Sequence, residues 1–301
     1  MNIGIFGVGN FGETHIKVLR NIKHFNIIGF CDPNQKRSQE IEKKFNITAY
    51  TNPIILIKQC DAIDIVSETG SHFKLIQNAI KYNKHIFIEK PVCANELEVS
   101  ELLKITSNYT PTIQVGHIER YNPAIKEGFK EIKHIKSIKT TRTGYLNDRN
   151  QNTSISLDLM IHDIDLVLSI IKSPIINIAA IGRKAQNGIH NYIECTLEFQ
   201  NRSKAVLTTE RNCDINSERK MTIICINKIV EIDLLNRTTK IIDKNINKMW
   251  ESEKHINPLH NEMIDFYSNI KNKQKPLVGI QESCDAVQTA LEIEKILNCQ
   301  K

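Results

Sequence analysis

The stretch IGIFGVGNFG at residues 3–12 places three glycines, Gly7, Gly9 and Gly12, directly after a short apolar run. Glycines at this spacing let a chain turn sharply, let its backbone approach a pyrophosphate, and let the next helix pack closely on the strand. A second apolar strand follows and ends in Asp32, at the distance expected for an acid that binds a ribose diol. The stretch therefore predicts a dinucleotide-binding βαβ unit, with the pyrophosphate at the N-terminus of the helix.

The alternation of elements extends this unit into a complete domain. Up to residue 117, apolar strands alternate with amphipathic helices, which is typical of a doubly wound parallel sheet. Beyond it, strand-like runs follow one another with short links, which favours an antiparallel sheet. We therefore expect an α/β protein with a Rossmann doubly wound parallel sheet over residues 1–117. A C-terminal α+β domain with a large, mainly antiparallel open sheet is expected over residues 118–301, and part of the chain's end is expected to pack back on the first domain.

Composition narrows the class of protein. The 301 residues are many for one hydrophobic core, which agrees with two domains. The net charge of +6 comes from scattered lysines without a cluster of Arg and Lys among aromatic residues, so we expect no nucleic-acid partner. No apolar run is long enough for a membrane span. The eight cysteines form no C-x-x-C and no metal-ligand spacing with His, which favours a cytoplasmic protein with reduced thiols and no metal.

A lysine follows a buried strand in the triplet Glu89-Lys90-Pro91. Ligands of open α/β sheets bind beyond the carboxyl ends of the strands, so Lys90 is expected near the nicotinamide of a bound dinucleotide. The alternative is a lysine that marks an ordinary strand end. The preceding acid and the stiffening proline favour the functional interpretation.

A second candidate group lies in the segment DLMIHDID at residues 158–165. On a helix, Asp158, His162 and Asp165 are spaced i, i+4 and i+7 and share one face. Histidine exchanges protons near neutral pH, and a carboxylate one turn away orients its ring. The alternatives are a structural core histidine with acids near the helix start, or a metal site, for which no further converging ligands are present.

The segment GHIERYNP at residues 116–123 follows the next predicted strand and is rich in polar side chains. His117, Arg120 and Asn122 are candidates to recognise phosphate or sugar hydroxyls, and Arg120 is suited to a bidentate contact with an anion. The alternative is a polar turn that joins the two domains.

The motifs together carry a resemblance to a known family. The glycine motif, Asp32, the Thr69/His72 segment, Glu89-Lys90-Pro91 and Asp158-x-x-x-His162 resemble, in order and spacing, the glucose–fructose oxidoreductase/inositol dehydrogenase/MocA family. The closing pattern of residues 258–266 and 282 onward is similar too. One departure is Gly70, where the family usually has Pro, and it is expected to loosen this loop.

The resemblance implies the roles of individual residues. It implies an NAD(P)-binding Rossmann domain, followed by an α/β domain whose open sheet builds a homodimer or homotetramer. The catalytic set that it implies is Lys90, Asp158 and His162, of which either Lys90 or His162 is the base. The substrate-binding residues are then His117, Arg120, Asn122 and His162. The cofactor-binding residues are Gly7, Gly9, Asn10, Phe11, Gly12, Asp32, Thr69, His72, Glu89 and Lys90.

The expected activity follows from the same resemblance. Residues 116–124 and 158–168 are most similar to bacterial UDP-N-acetylglucosamine 3-dehydrogenases, which implies oxidation of C3 to a 3-keto sugar for a downstream sugar aminotransferase. Inositol or another sugar is an alternative substrate, and a non-catalytic sensor of NAD or sugar is an alternative class. Asp32 would repel a 2′-phosphate, which favours NAD over NADP, although Lys36 and Arg37 follow closely and could weaken that preference.

Overall fold

A computed structural model of the chain describes residues 1–146, 153–212, 217–244, 247–252 and 256–299. The described residues form two compact units. Unit 1 takes its residues from 1–118 and 257–284, and unit 2 from 119–256 and 285–301. One of the eight cysteines, Cys213, lies outside the described residues.

The first half of unit 1 alternates strands and helices. The strands are β1 (Asn2–Phe6), β2 (Asn26–Cys31), β3 (Ala62–Ile65), β4 (His85–Glu89) and β5 (Ile113–Gly116). The helices are α1 (Asn10–Arg20), α2 (Gln35–Phe45), α3 (Pro53–Gln59), α4 (Thr69–Lys81) and α5 (Glu96–Thr106). The five strands are parallel in the order β2-β1-β3-β4-β5, so the direction of winding reverses between β1 and β3. Such a reversal is the usual ligand position in an open α/β sheet.

Unit 2 is dominated by one large sheet. A 3-10 helix (Ile118–Tyr121) leads to α6 (Pro123–Lys130), and a π-helical turn (Ser156–Met160) leads directly into α7 (Ile161–Ile170). The strands are β6 (Ile135–Tyr145), β7 (Ile175–Lys184), β8 (His190–Phe199), β9 (Lys204–Asn212), β10 (Arg219–Cys225), β11 (Lys228–Asp233), β12 (Thr238–Asp243) and β13 (Asn247–Glu251). They form one sheet in the order β13-β12-β11-β10-β6-β9-β8-β7, in which only the β6–β9 pair is parallel.

Two helices close the described chain, α8 (Pro258–Asn272) and α9 (Ile280–Cys299). α8 belongs to unit 1, because Leu259, Met263 and Phe266 join a core that also contains Ile16 of α1 and Phe87 of β4. The sequence analysis places residues 118–301 in a second domain and expects part of the chain's end to pack back on the first; in the structure, residues 257–284 pack with residues 1–118. The apolar stripe of α8 is the physical reason, since its burial needs the α1 side of the parallel sheet.

The expected fold class is confirmed: a parallel Rossmann sheet is followed by a large, mainly antiparallel sheet. Alternation in β8 buries Ile193, Cys195 and Leu197, while the residues between them are partly exposed. α7 contacts the sheet at β6 and β9. No helix among the described residues has both the length and the hydropathy needed to cross a membrane.

A buried arginine organises one side of unit 2. Arg142 of β6 is 1% exposed and donates to both carboxylate oxygens of Asp163 in α7 at 2.9 Å, and to Glu119 at 3.2 Å. Burial alone would lower the pKa of Arg142, but Asp163 and Glu119 raise it. The guanidinium therefore links a strand, a helix and the 3-10 helix, and removal of Arg142 leaves the buried Asp163 carboxylate without its cation.

We predict that Arg142→Ala lowers the free energy of unfolding by about 3–5 kcal/mol, because Asp163 and Glu119 lose their buried cation. Urea unfolding of the purified protein measures this change. The control is Lys139→Ala, an exposed residue of the same strand, which should change the free energy by no more than about 0.5 kcal/mol. Equal effects of the two substitutions would contradict the assigned role.

Candidate functional site

The glycine loop after β1 has the geometry that a dinucleotide requires. Gly7 has a φ of +92°, and a Cβ there would lie 2.5 Å from the backbone of Ser67. A Cβ on Gly12 would overlap the carbonyl oxygen of Gly7, whereas a Cβ on Gly9 would meet no atom within 4 Å. Gly7 and Gly12 thus make the turn and the close helix packing possible, and Gly9 leaves open space beside the backbone.

The start of α1 faces the same loop. Its N-cap is Gly9, so no side chain caps the helix, and Asn10 and Phe11 supply the first helical residues. A helix start with uncapped backbone N–H groups and a positive dipole end suits a pyrophosphate. Phe11 is 42% exposed.

Asp32 lies directly after β2 and holds the loop. Its Oδ2 accepts a hydrogen bond from the backbone N–H of Val8, and its Oδ1 accepts one from Asn34, both at 2.8 Å. Carboxylate oxygens have two lone pairs each, and the side chain is partly exposed, so the acid can also accept from a ribose diol. The residues present therefore fit an NAD molecule at this position.

The segment after β3 is joined to the segment after β4 by His72 of α4. The ring is 1% exposed, with Nδ1 2.9 Å from the carbonyl oxygen of Pro91 and Nε2 2.9 Å from that of Ser67. Burial lowers the pKa of His72. Thr69 and Gly70 form the first turn of α4, so the expected loose loop at Gly70 is helical instead.

Lys90 follows the last residue of β4, at the same carboxyl edge of the parallel sheet, and the Lys90–Pro91 peptide bond is cis. The side chain of Glu89 packs against Gly116, where a Cβ would lie 2.5 Å from the carboxylate. Glu89 Oε1 lies 3.3 Å from Nε2 of His15 in α1. The acid before the lysine is therefore directed into the interior of unit 1.

His15 is the centre of a buried charged cluster that includes Asp64, Glu89 and Glu262. Nδ1 of the fully buried His15 ring lies 3.0 Å from Oδ2 of Asp64, which is also fully buried. Burial alone would lower the pKa of His15, but the carboxylates of Asp64 and Glu89 raise it to about 10. The Asp64 and Glu89 carboxylates therefore favour the protonated form of the His15 ring.

Glu262 of α8 is the fourth member of the cluster and is fully buried. Neither carboxylate oxygen has a hydrogen-bond partner within the described part of the chain. Burial first, and then the nearby Glu89 carboxylate, raise the pKa of Glu262 well above its ordinary value. The folded protein thus favours the protonated form of Glu262.

In unit 2, Asp158 lies in the π-helical turn and His162 lies in the first turn of α7. Oδ2 of Asp158 accepts a hydrogen bond of 2.5 Å from Nη2 of Arg211, at the end of β9. Arg211 is 2% exposed and also donates to the carbonyl oxygen of Thr153. π-Helical turns are frequent at functional sites, and this one holds Asp158 on the segment that leads into the His162 helix.

The other predicted substrate residues have structural partners. Arg120 donates from Nε and Nη2 to the carboxylate of Asp165, at 2.5 and 2.9 Å. Asn122 caps α6 by accepting from the backbone of Ala124. In unit 1, Nε2 of His117 lies 3.2 Å from the hydroxyl oxygen of Ser283. A substrate role for Arg120, Asn122 and His117 stays a prediction.

The sequence analysis missed several residues that this geometry brings to the candidate site. His15 and Asp64 join Glu89 behind Lys90, Glu262 joins them from α8, and Arg211 joins Asp158. A signal existed for His15 and Asp64, because a His on the inner face of α1 and an acid within an apolar strand are costly to bury alone. Within the described ranges, no group of three or more His, Cys, Asp or Glu is arranged to hold a metal ion.

A parallel sheet with this glycine loop, helix start and acid after β2 defines a class, the dinucleotide-binding proteins of the Rossmann fold. The model of the oxidoreductase family with an NAD-binding Rossmann fold, GFO_IDH_MocA, matches residues 1–117, and the GFO/IDH/MocA C-terminal domain matches residues 132–230. The chain belongs to the GFO/IDH/MocA family of oxidoreductases. Its cofactor is NAD.

Individual relatives are dehydrogenases of nucleotide sugars or inositols. UDP-N-acetylglucosamine 3-dehydrogenase of Acidithiobacillus ferrooxidans is 26% identical over 80% of this chain and 76% of its own. Its solved structure superposes with a TM-score of 0.93 at 24% identity, over 99% of this chain and 97% of the other. Myo-inositol 2-dehydrogenase of Thermotoga maritima is 23% identical over 93% of this chain and 91% of its own.

A structure with bound cofactor is also similar. The scyllo-inositol dehydrogenase from Lactobacillus casei, solved with NAD(H) and scyllo-inositol, has a TM-score of 0.85 at 18% identity, over 99% of this chain and 97% of the other. The likeness to these solved structures extends over nearly the whole chain, which supports the observed fold.

We predict that Glu262→Gln removes part of the pH dependence of stability. Above about pH 4.5 an unfolded Glu ionises while the buried Glu262 retains its proton to higher pH, so unfolding releases a proton and the contribution of Glu262 to stability falls as pH rises. The raised pKa of His15 makes stability fall only above about pH 6.5. Between pH 5 and 6.5 the variant should therefore lose less stability than the wild type.

The measurement is a series of urea unfolding curves between pH 5 and 6.5. The matched control is Glu96→Gln, the same change at an exposed position in the first turn of α5, which should leave the slope unchanged. Parallel stability curves for the wild type and Glu262→Gln would mean that Glu262 is ionised in the folded protein.

Proposed function

We propose that this protein is an NAD-dependent dehydrogenase that oxidises a secondary hydroxyl of a sugar or nucleotide sugar to a ketone. The first candidate substrate is UDP-N-acetylglucosamine, oxidised at C3. The similarity to the Acidithiobacillus ferrooxidans enzyme supports this choice, because it extends over 80% of this chain.

The observation that carries the proposal is the ion pair of Asp158 and Arg211 on the segment that leads into the His162 helix. The Asp158 carboxylate accepts a hydrogen bond of 2.5 Å from the guanidinium of Arg211, which is only 2% exposed. This charge-assisted contact holds the carboxylate in one orientation. Such a fixed carboxylate four residues before a histidine is suited to orient the imidazole ring and to stabilise its cation.

We assign the steps to residues of this chain. In unit 2, we assign His162 the role of accepting the proton of the substrate hydroxyl. In unit 1, we assign Lys90 the role of stabilising developing negative charge by donating a hydrogen bond. Asp158 orients His162 and stabilises the imidazolium that forms. NAD, when bound, supplies the hydride acceptor. The proton leaves from His162 to solvent, so each turnover converts one secondary alcohol into one ketone with release of one proton.

An inositol is the second candidate substrate. The Thermotoga maritima myo-inositol 2-dehydrogenase aligns with 93% of this chain, and the chemistry at a ring hydroxyl is the same. A panel assay separates the two candidates. The protein is mixed with NAD and, in turn, with UDP-N-acetylglucosamine, myo-inositol, scyllo-inositol and free sugars, and the formation of NADH is measured by absorbance. A protein that binds NADH but oxidises none of them would support the alternative of a sensor.

We predict that Lys90→Ala and His162→Ala each lower turnover of the accepted substrate by at least about 100-fold, the usual contribution of a general acid or base. His162→Ala should still bind NADH, because its side chain belongs to unit 2 and the glycine loop to unit 1. Lys81→Ala, an exposed lysine at the end of α4, is the control. Full activity of either variant would refute the assignment.

Arg211 provides a separate test as a positioning residue. Arg211→Met should lower kcat by roughly 10- to 100-fold with a smaller change in KM, because Asp158 loses its buried charged partner. Arg211→Lys should restore part of kcat, which a merely structural defect would not predict. The control is Arg183→Met, which removes an exposed arginine of β7 that pairs with Glu210 of β9. If kcat is unchanged in Arg211→Met, Asp158 does not depend on this ion pair.

The expected partners are proposals of the same kind. A 3-keto product would be used by a sugar aminotransferase, and assembly as a homodimer or homotetramer would use the open face of the large sheet. In β8 this face presents Tyr192, Glu194 and Thr196, which are only partly exposed in the single chain.

A further inference from the structure

A group of charged side chains surrounds Glu13, the residue directly after the last glycine of the loop. Glu13 Oε1 lies 2.7 Å from Nζ of Lys17 and 2.8 Å from Nζ of Lys44, and its Oε2 lies 2.8 Å from Nη2 of Arg37. The side chain of Glu13 is only 13% exposed. Lys17, Lys44 and Arg37 lower the pKa of Glu13 to about 2, so its negative charge is permanent at any physiological pH.

Arg37 is also bound to the glycine loop itself. Its Nε donates to the carbonyl oxygen of Val8 at 2.7 Å, while Asp32 accepts from the N–H of that same residue at 2.8 Å. The guanidinium and the ribose-binding acid thus hold the two peptide groups of one loop residue. Arg37 therefore lies beside the position expected for the adenosine ribose.

This placement has a consequence for the choice of cofactor. In Rossmann folds an arginine near the ribose accommodates the 2′-phosphate of NADP, and Arg37 follows β2 closely enough to do so. However, its Nη2 group already donates to Glu13, and Nη1 lies 3.3 Å from Glu40. A guanidinium that is engaged with a carboxylate and a carbonyl oxygen has fewer N–H groups to offer to a phosphate.

We propose that Glu13 is a specificity-determining residue that holds Arg37 away from a 2′-phosphate and so enforces the use of NAD. Asp32 repels the 2′-phosphate directly. Glu13 keeps the Arg37 guanidinium in an ion pair, so that Arg37 does not bind the phosphate. The proposal concerns only the cofactor and is independent of which sugar the enzyme oxidises.

The test is a pair of fluorescence titrations, with NADH and with NADPH, in the absence of any sugar. Glu13→Gln should lower the ratio of the NADPH Kd to the NADH Kd by roughly tenfold. The reason is that Arg37 loses its charge-assisted hydrogen bond to Glu13 and can then bind the 2′-phosphate. Glu40→Gln is the matched control, because it removes the 66% exposed partner of the same arginine and should leave the ratio unchanged.

A double variant identifies the group that binds the phosphate. The gain in NADPH affinity of Glu13→Gln should disappear in Glu13→Gln/Arg37→Gln. A gain that persists in the double variant would assign the effect to Lys17 or Lys44 and overturn the proposal, as would an unchanged ratio in Glu13→Gln. Thermal unfolding midpoints of all variants show that each protein is folded before the ratios are compared.

Discussion

The structure of unit 1 depends on one buried cluster of ionisable groups, in which the His15 ring lies between the carboxylates of Asp64 and Glu89. Transfer of an ion from water to the protein interior costs several kcal/mol, and that cost is recovered only when opposite charges and hydrogen bonds surround it. Asp64 and Glu89 supply these partners at 3.0 and 3.3 Å, from two neighbouring strands. The His15 contacts therefore fix the position of α1 relative to β3 and β4, and these three elements carry the glycine loop, the segment before α4 and Lys90. The segments expected to bind the cofactor are thus held in place by the same contacts of His15 with Asp64 and Glu89.

Unit 2 uses the same principle with arginines. Arg142 pairs with Asp163, Arg120 with Asp165, and Arg211 with Asp158, so three acids of one helical segment each have their own cation. A guanidinium offers a rigid fork of donors, which holds a carboxylate in one plane. The segment that carries His162 is thereby attached to β6, β9 and the 3-10 helix by directional contacts as well as by apolar packing. A helix held in this way keeps its side chains in a fixed orientation, which a proton-transfer residue requires.

Short sequence motifs correctly predicted the features that depend on neighbouring residues along the chain. The glycine loop, Asp32 after β2 and Lys90 after β4 follow from short motifs, since the end of a parallel strand defines where the next residues lie. Charge pairing was less predictable, because Glu262 reaches the His15 cluster from a helix far along the chain. Arg120, expected to bind an anion, has a carboxylate partner in Asp165 that spacing does not reveal. Neither β12 nor the edge strand β13 was predicted; the residues of β13 are mostly exposed and show no alternation.

The discontinuity of unit 1 affects how the chain folds during synthesis. Residues 1–118 emerge from the ribosome first, but their core also requires Leu259, Met263 and Phe266 of α8. The apolar surface that α8 covers therefore stays exposed on the N-terminal segment until residues 257–272 have also been made. Domains ordinarily fold as units in the order of their synthesis. Here residues 119–256 are translated completely before the core of unit 1 can be finished. During that time the nascent chain exposes apolar surface, which is the kind of surface that chaperones bind.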